Sequence, residues 1–266
     1  MSKIRLVICG LGKLGLPLSL VLAKCHDVLG IDIDRMRLEK IKHLELFEEP
    51  HVNEYLEKYY KKMDFTSIYK DIKKFRPDIV FVIVPTPSLS NGKFDRSYVE
   101  KAVRSVRSYS ESPIFIVSTV NPCDTVYLNR KYKRVYYNPE MIKQGTIIKD
   151  MENPKYILIG CGHEEDYQLV EKVWKSIADA PIFRSSTVTI ELAKLSLNFS
   201  LITQITLANV IGGLSNRVNA DTDFILNIIW RDIRKYKDGL GFQGPCFCRD
   251  VKTFGALSEE KNFDLG

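Results

Sequence analysis

The sequence predicts an α/β chain: a doubly wound, mainly parallel sheet followed by an all-helical region. Three observations carry that prediction. Short apolar runs alternate with helical patterns as far as Ser185. A glycine turn, Gly10-Leu11-Gly12-Lys13-Leu14-Gly15, joins the first apolar run to the first helix. From Thr187 to Arg217 the alternation stops, and a proline-free stretch is apolar almost all round.

The elements follow in order. Ile4 to Cys9 is an apolar run of strand length, Leu16 to Ala23 a helix, and Val28 to Ile31 a second strand ending at Asp32. This is a strand–helix–strand unit with its glycine turn at the first junction. Further apolar runs at Ile79 to Val84, Ile114 to Val117, Val135 to Tyr137 and Tyr156 to Ile159 read as buried strands. Helical patterns such as Arg96 to Ser108 and Tyr167 to Ile177 separate most of them. Alternation of this kind gives a parallel sheet with helices on both faces. The long stretch from Thr187 reads as a helix buried between domains or subunits. Asp221 to Ile233 is another helix, capped by Asp221 or Thr222. These patterns place a domain boundary near residue 185, giving domains over 1–184 and 185–266.

Bulk properties narrow the function classes. The 266 residues suffice for one large domain or two modest ones, and a hydrophobic content of 45% supports a real core. The net charge of +6 suits an anionic small-molecule substrate and does not by itself indicate nucleic acid. The basic clusters at Lys58 to Lys62, Lys70 to Arg76 and Arg130 to Arg134 read as solvated faces. Six scattered cysteines form no disulfide framework and fit a reducing compartment. The Met-Ser-Lys start has no signal-peptide core, and no apolar run reads as long enough to span a bilayer, so the expected location is cytoplasmic, with no membrane partner.

Gly-x-Gly-x-x-Gly is weak alone, but here it follows a strand and opens a helix, and Asp32 ends the next strand roughly twenty residues on. Gly10, Gly12 and Gly15, with Leu14 between them, would let a pyrophosphate approach the helix N-terminus. Asp32 would accept hydrogen bonds from ribose hydroxyls and repel a 2′-phosphate, which favours NAD, while nearby Arg37 blurs that preference. Val84-Pro85-Thr86-Pro87 and Ser118-Thr119-Val120 end strands, where doubly wound sheets bind ligands, so Pro85, Thr86 and Thr119 are cofactor or substrate candidates. Lys194 and Asn198 share a helix face. A lysine in an apolar stretch either pairs with an acid such as Glu191 or serves as a base or an alkoxide-binding cation. Cys246 sits in a glycine-rich loop, Gly241 to Asp250, that suits a thiol attacking a carbonyl. Cys246-x-Cys248 lacks the partner ligands a metal requires, so no metal site is expected. Histidines 26, 43, 51 and 163 lie in polar or loop-like contexts, so another group must act as base.

Taken together, the motifs resemble the UDP-glucose/GDP-mannose dehydrogenase family. They are Gly10 to Pro17, Val84 to Pro87 with Asp95 downstream, Ser118 to Val120, Tyr137-Asn138-Pro139-Glu140, Gly145 to Asp150, Glu191 to Leu195 with Asn198, and Gly244-Pro245-Cys246-Phe247 with Asp250. Single motifs of this kind are common, but their joint order and spacing are specific. The resemblance implies a Rossmann-like NAD-binding domain, a central helical domain for dimerisation and substrate, and a homodimer built on the long helix. It implies four-electron oxidation of a sugar's primary alcohol to a carboxylate with two NAD in turn, UDP-glucose to UDP-glucuronate being the leading reaction. Cys246 would then be the nucleophile forming a thiohemiacetal and a thioester, and Lys194 and Asn198 would stabilise oxyanions. Asp250 would position water and support Lys194, Thr119 would hold that water or the nearby hydroxyl, and Glu140 would be the base for thioester hydrolysis. Glu140, Lys194, Asn198 and Gly244 would also contact substrate, and Arg234 would reach the neighbouring subunit's substrate.

The chain departs from the family at Gln144, where an acid is usual, at Gln243, which replaces a loop glycine, and at Cys248, which replaces a common proline. The family continues into a third, nucleotide-binding domain, whereas this chain stops at Gly266. It is then a natural short form, a fragment, or half of a split enzyme whose partner supplies that domain. Two other readings stay open: a two-electron hydroxyacid-type dehydrogenase, and a weakly active NAD-binding subunit that needs a partner.

Overall fold

The computed structural model describes residues 3–45, 47–231 and 259–260. Eight strands form one sheet: β1 (Arg5–Cys9), β2 (Asp27–Ile31), β3 (Met63–Thr66), β4 (Ile79–Val82), β5 (Ile114–Ile116), β6 (Val135–Tyr137), β7 (Ile157–Gly160) and β8 (Ile182–Ser185). Their order is β3-β2-β1-β4-β5-β6-β7-β8. Every pairing is parallel except β6 with β7. The order reverses between β1 and β4, so a crevice opens there beyond the strands' carboxyl ends.

Side-chain alternation divides the core between the two faces. Leu6 and Ile8 of β1 join Phe81 and Phe115 on one face, beneath α1 (Gly15–Leu22), α7 (Ile147–Glu152) and α8 (Glu164–Lys175). Val7 and Cys9 join Val80, Val82 and Ile116 on the other, beneath α5 (Ser97–Arg107) and α6 (Asp124–Tyr132). Burial on both faces explains why the central strands are apolar throughout. Helix α1 has no polar face because it is enclosed by the sheet, by α7 and by α3 (Val52–Tyr59). Helices α2 (Arg35–Lys42) and α4 (Asp71–Phe75) complete the β2–β3 and β3–β4 connections.

The predicted central strands and intervening helices are present, with ends shifted by at most three residues. The edge strands β3 and β8 were not predicted. They are half-exposed and carry Asp64 and Arg184, so they lack the apolar run that marks a buried strand.

The chain divides into two compact units, Met1–Leu195 and Ser196–Gly266. Helix α9 (Thr187–Val218) begins in the first, where Ile190 and Glu191 are buried. In the second, Ile211, Leu214 and Ser215 are buried, and Asp221 caps α10 (Thr222–Arg231) by accepting the Phe224 N–H at 3.0 Å. Within this chain α9 is uncovered along much of its length: Phe199 (71% exposed), Ile202 and Ile205 face outward, where the expected burial was between domains or subunits. The expectation that no apolar run could span a bilayer is corrected. By length and composition α9 could, since its 32 residues include a window of mean hydropathy 1.3. The core helix of a soluble protein passes the same test.

Candidate active site

The glycine turn is shaped by contacts that exclude a side chain. Gly10 has φ +97°, and a Cβ there would lie 2.0 Å from the Ile83 carbonyl oxygen. A Cβ on Gly15 would lie 1.8 Å from the Gly10 oxygen. The turn is thus pressed against the end of β4, and α1 starts at Gly15 with no side-chain cap at Leu14. An uncapped helix start next to bare backbone suits a pyrophosphate.

Asp32 is buried at the end of β2. Its Oδ2 accepts the Leu11 N–H at 2.7 Å and its Oδ1 the Asp34 N–H at 2.9 Å. The carboxylate is therefore anchored to the glycine turn. Arg37 Nη1 lies 4.0 Å from Asp32 Oδ2, and a Cβ on Gly12 would come within 3.0 Å of the same nitrogen. Alongside runs a cleft of about 800 Å³ whose lining includes Gly12, Lys13, Arg37, Lys40 and Gln144. Lys13 and Lys40 were not singled out in the sequence, although Lys40 is one helical turn beyond Arg37 and so shares its face. Bare glycine backbone, an anchored carboxylate and three cations fit a dinucleotide.

The loop after β4 carries Pro85 and Thr86, and the loop after β5 carries Thr119. Ser118 joins them: its Oγ accepts the Val84 N–H at 2.8 Å and donates to the Val84 carbonyl at 2.7 Å. In the sequence Ser118 is marked only by its place in a motif, because this bridge depends on two strands lying side by side.

Just past β6, Glu140 and Lys194 meet. Lys194 Nζ donates to the Glu140 backbone carbonyl at 2.7 Å and contacts Met141 Sδ at 3.8 Å. The Glu140 carboxylate is sequestered, and its Oε1 is buried without a hydrogen-bond partner among the described residues. Burial raises this carboxyl from 4.5 to about 7, against the opposing pull of Lys194. Burial likewise holds the Lys194 ammonium below its ordinary value, with Glu140 acting in the opposite direction. A small cavity beside Glu140, lined also by Asn138, Asp150 and Trp174, has room for about one water. A carboxyl poised near neutral pH can take up or release a proton, and the neighbouring ammonium can face a developing oxyanion.

Glu191 does not pair with Lys194. Its two carboxylate oxygens accept the N–H groups of Cys123 and Thr125. Asn198 is exposed on α9. Gln144 lines the dinucleotide cleft, in a loop held by Glu49, which accepts the Gly145 and Ile147 N–H groups at 3.0 Å. Cys246, Asp250, Arg234 and Gly244, with Gln243 and Cys248, lie outside the described residues.

Residues 4–178 match the NAD-binding domain of the UDP-glucose/GDP-mannose dehydrogenase family, and residues 188–266 match its central domain. The chain belongs to the UDP-glucose/GDP-mannose dehydrogenase family. Its NAD-binding domain is the sheet that carries the glycine turn and Asp32. Among family members, the UDP-glucose 6-dehydrogenase of Rickettsia bellii is 28% identical over 96% of this chain. The GDP-mannose 6-dehydrogenase of Pseudomonas aeruginosa is also 28% identical, over 94%. The crystal structure of a ternary complex of the Pseudomonas aeruginosa GDP-mannose dehydrogenase superposes with a TM-score of 0.89 at 26% identity, covering 98% of this chain and 66% of that one. The chain spans 63% of the length of each of the two sequence relatives.

Proposed function

We propose that this chain oxidises the primary alcohol of a nucleotide sugar to a carboxylate in two successive steps, with UDP-glucose the favoured substrate. The observation that carries the reading is the Lys194–Glu140 pair. It sets an ammonium of lowered pKa on the backbone carbonyl of a residue whose buried carboxyl is poised near neutrality, in a chain whose sheet carries a dinucleotide cradle.

Gly10, Gly12, Leu14 and Gly15 would hold the pyrophosphate, Asp32 the ribose, and Arg37, Pro85, Thr86 and Thr119 would complete the cofactor site. NAD, when bound there, accepts a hydride at each step. Lys194, with Asn198, holds the alkoxide of the alcohol and later the oxyanions at the same carbon. The Cys246 thiolate adds to the aldehyde carbonyl to give a thiohemiacetal, and loss of hydride from that carbon leaves a thioester. Glu140 takes a proton from water as the water attacks the thioester, the carbon–sulfur bond breaks, and carboxylate and thiol are released. Thr119 and Asp250 orient that water. A covalent intermediate keeps the aldehyde in the site between the two oxidations.

The same reading makes the chain a homodimer through α9, on which the apolar Phe199, Ile202 and Ile205 are exposed. Arg234 would reach the neighbouring subunit's substrate, and Gly244 would contact the sugar.

The test is the NADH formed per UDP-glucose consumed. Two are expected for the wild type, and at most one for Cys246→Ala. One NADH per sugar in the wild type would replace the reading with a two-electron dehydrogenase. No NADH from any nucleotide sugar, with NAD still bound, would make the chain a cofactor-binding subunit.

A further inference from the structure

We infer that Glu191 is a positioning residue of the active site: from the start of α9 it fixes the beginning of α6, and with it the Thr119 loop, relative to Lys194. This inference rests on the catalytic reading above and deepens it.

Glu191 is completely buried. Its Oε2 accepts the Cys123 N–H at 2.7 Å and its Oε1 the Thr125 N–H at 2.8 Å. These donors open α6, where a helix has unsatisfied N–H groups and the dipole favours a negative charge. The helix supplies no cap of its own. Cys123, at the capping position, has φ +76° and makes no side-chain cap. Asp124 is engaged elsewhere, accepting from Asn121 and Arg96. The cap therefore comes from α9, 66 residues away from Thr125 in sequence.

The position of this grip gives it its importance. Thr119 lies only a few residues before Cys123 on an ordered loop, tied to β4 through Ser118. Lys194 lies three residues after Glu191, so both project from one helix face. One turn of α9 thus holds the start of α6 through Glu191 and the end of β6 through Lys194. A buried carboxylate is costly unless fully hydrogen-bonded, and charge-assisted bonds are about twice as strong as neutral ones. Glutamine is the informative replacement. It fills the same space but lacks the charge, and its amide turns a donor toward one of the two N–H groups.

Hydrogen exchange of the wild-type chain comes first. Slow exchange at the Cys123 and Thr125 amides is expected, and free exchange there overturns the inference. Glu191→Gln is then compared by exchange and by steady-state kinetics with NAD and UDP-glucose. We expect faster exchange confined to residues 120–128, kcat lowered about 10- to 100-fold, and KM for NAD within about twofold of wild type, since a misplacement of about 1 Å is enough for such a loss. A merely structural role would instead lower the folded fraction and leave kcat per folded molecule unchanged, which would overturn the inference. So would a loss of kcat with unaltered exchange at both amides. If Glu191→Gln does not fold, Glu191→Asp is read by the same criteria, since it keeps the charge but draws it back by one methylene. A wild type that oxidises no nucleotide sugar would sink the catalytic reading, while the exchange arms would still decide whether Glu191 holds α6.

Discussion

Glu140 combines two conditions that rarely coexist in a carboxylate: burial, and an oxygen with no hydrogen-bond partner among the described residues. Between its ordinary value of 4.5 and about 7, the folded chain keeps a proton that the unfolded chain has released. Its contribution to stability is therefore full below about pH 4.5 and is lost as pH rises through about 7. Glu140→Gln removes that loss. Thermal melts should show the variant exceeding the wild type by a few degrees at pH 8.5, and matching it or falling below it at pH 5. A difference that does not vary with pH would show that Glu140 titrates normally. The motif ending in Glu140 was legible in the sequence, and so was the choice of Lys194, because a lysine in an apolar stretch demands an explanation. What Lys194 touches was not legible. Glu191, the nearer acid in sequence, is taken by α6, and the Glu140 carbonyl comes from the loop after β6, 54 residues away.

At the scale of elements, legibility followed burial. Strands enclosed on both faces declared themselves as apolar runs, whereas the half-exposed edges β3 and β8 did not. Helix α9 was legible from its missing prolines and continuous apolarity, but composition cannot say what covers a helix, and this chain alone leaves Phe199, Ile202 and Ile205 exposed. If α9 pairs with a second copy, charges placed on that face should separate the copies. The double variant Ile202→Glu/Ile205→Glu is expected to run as a monomer in light scattering after gel filtration, where the wild type runs as a dimer. It should retain the far-ultraviolet helix signal, since glutamate is a good helix former. A wild type that is monomeric at micromolar concentration would remove the dimer from the proposed function.

At the scale of the whole molecule, the strand reversal between β1 and β4 brings distant loops to one rim, and only the fold could reveal that. Lys13, Arg37, Lys40 and Gln144 share a cleft although they come from three separate connections. Because that cleft belongs to the folded state alone, NAD at a hundred times its dissociation constant should add about 2.7 kcal/mol of stability and raise the melting temperature by several degrees. An unchanged melting temperature at that concentration would contradict the cofactor assignment. The Ser118 bridge works at this scale too. Two hydrogen bonds to one residue's N–H and carbonyl tie the loop after β4 to the loop after β5 at Ser118, the neighbour of Thr119. A ligand held by one of these loops would therefore feel the placement of the other, through a serine whose hydroxyl is engaged wholly by backbone.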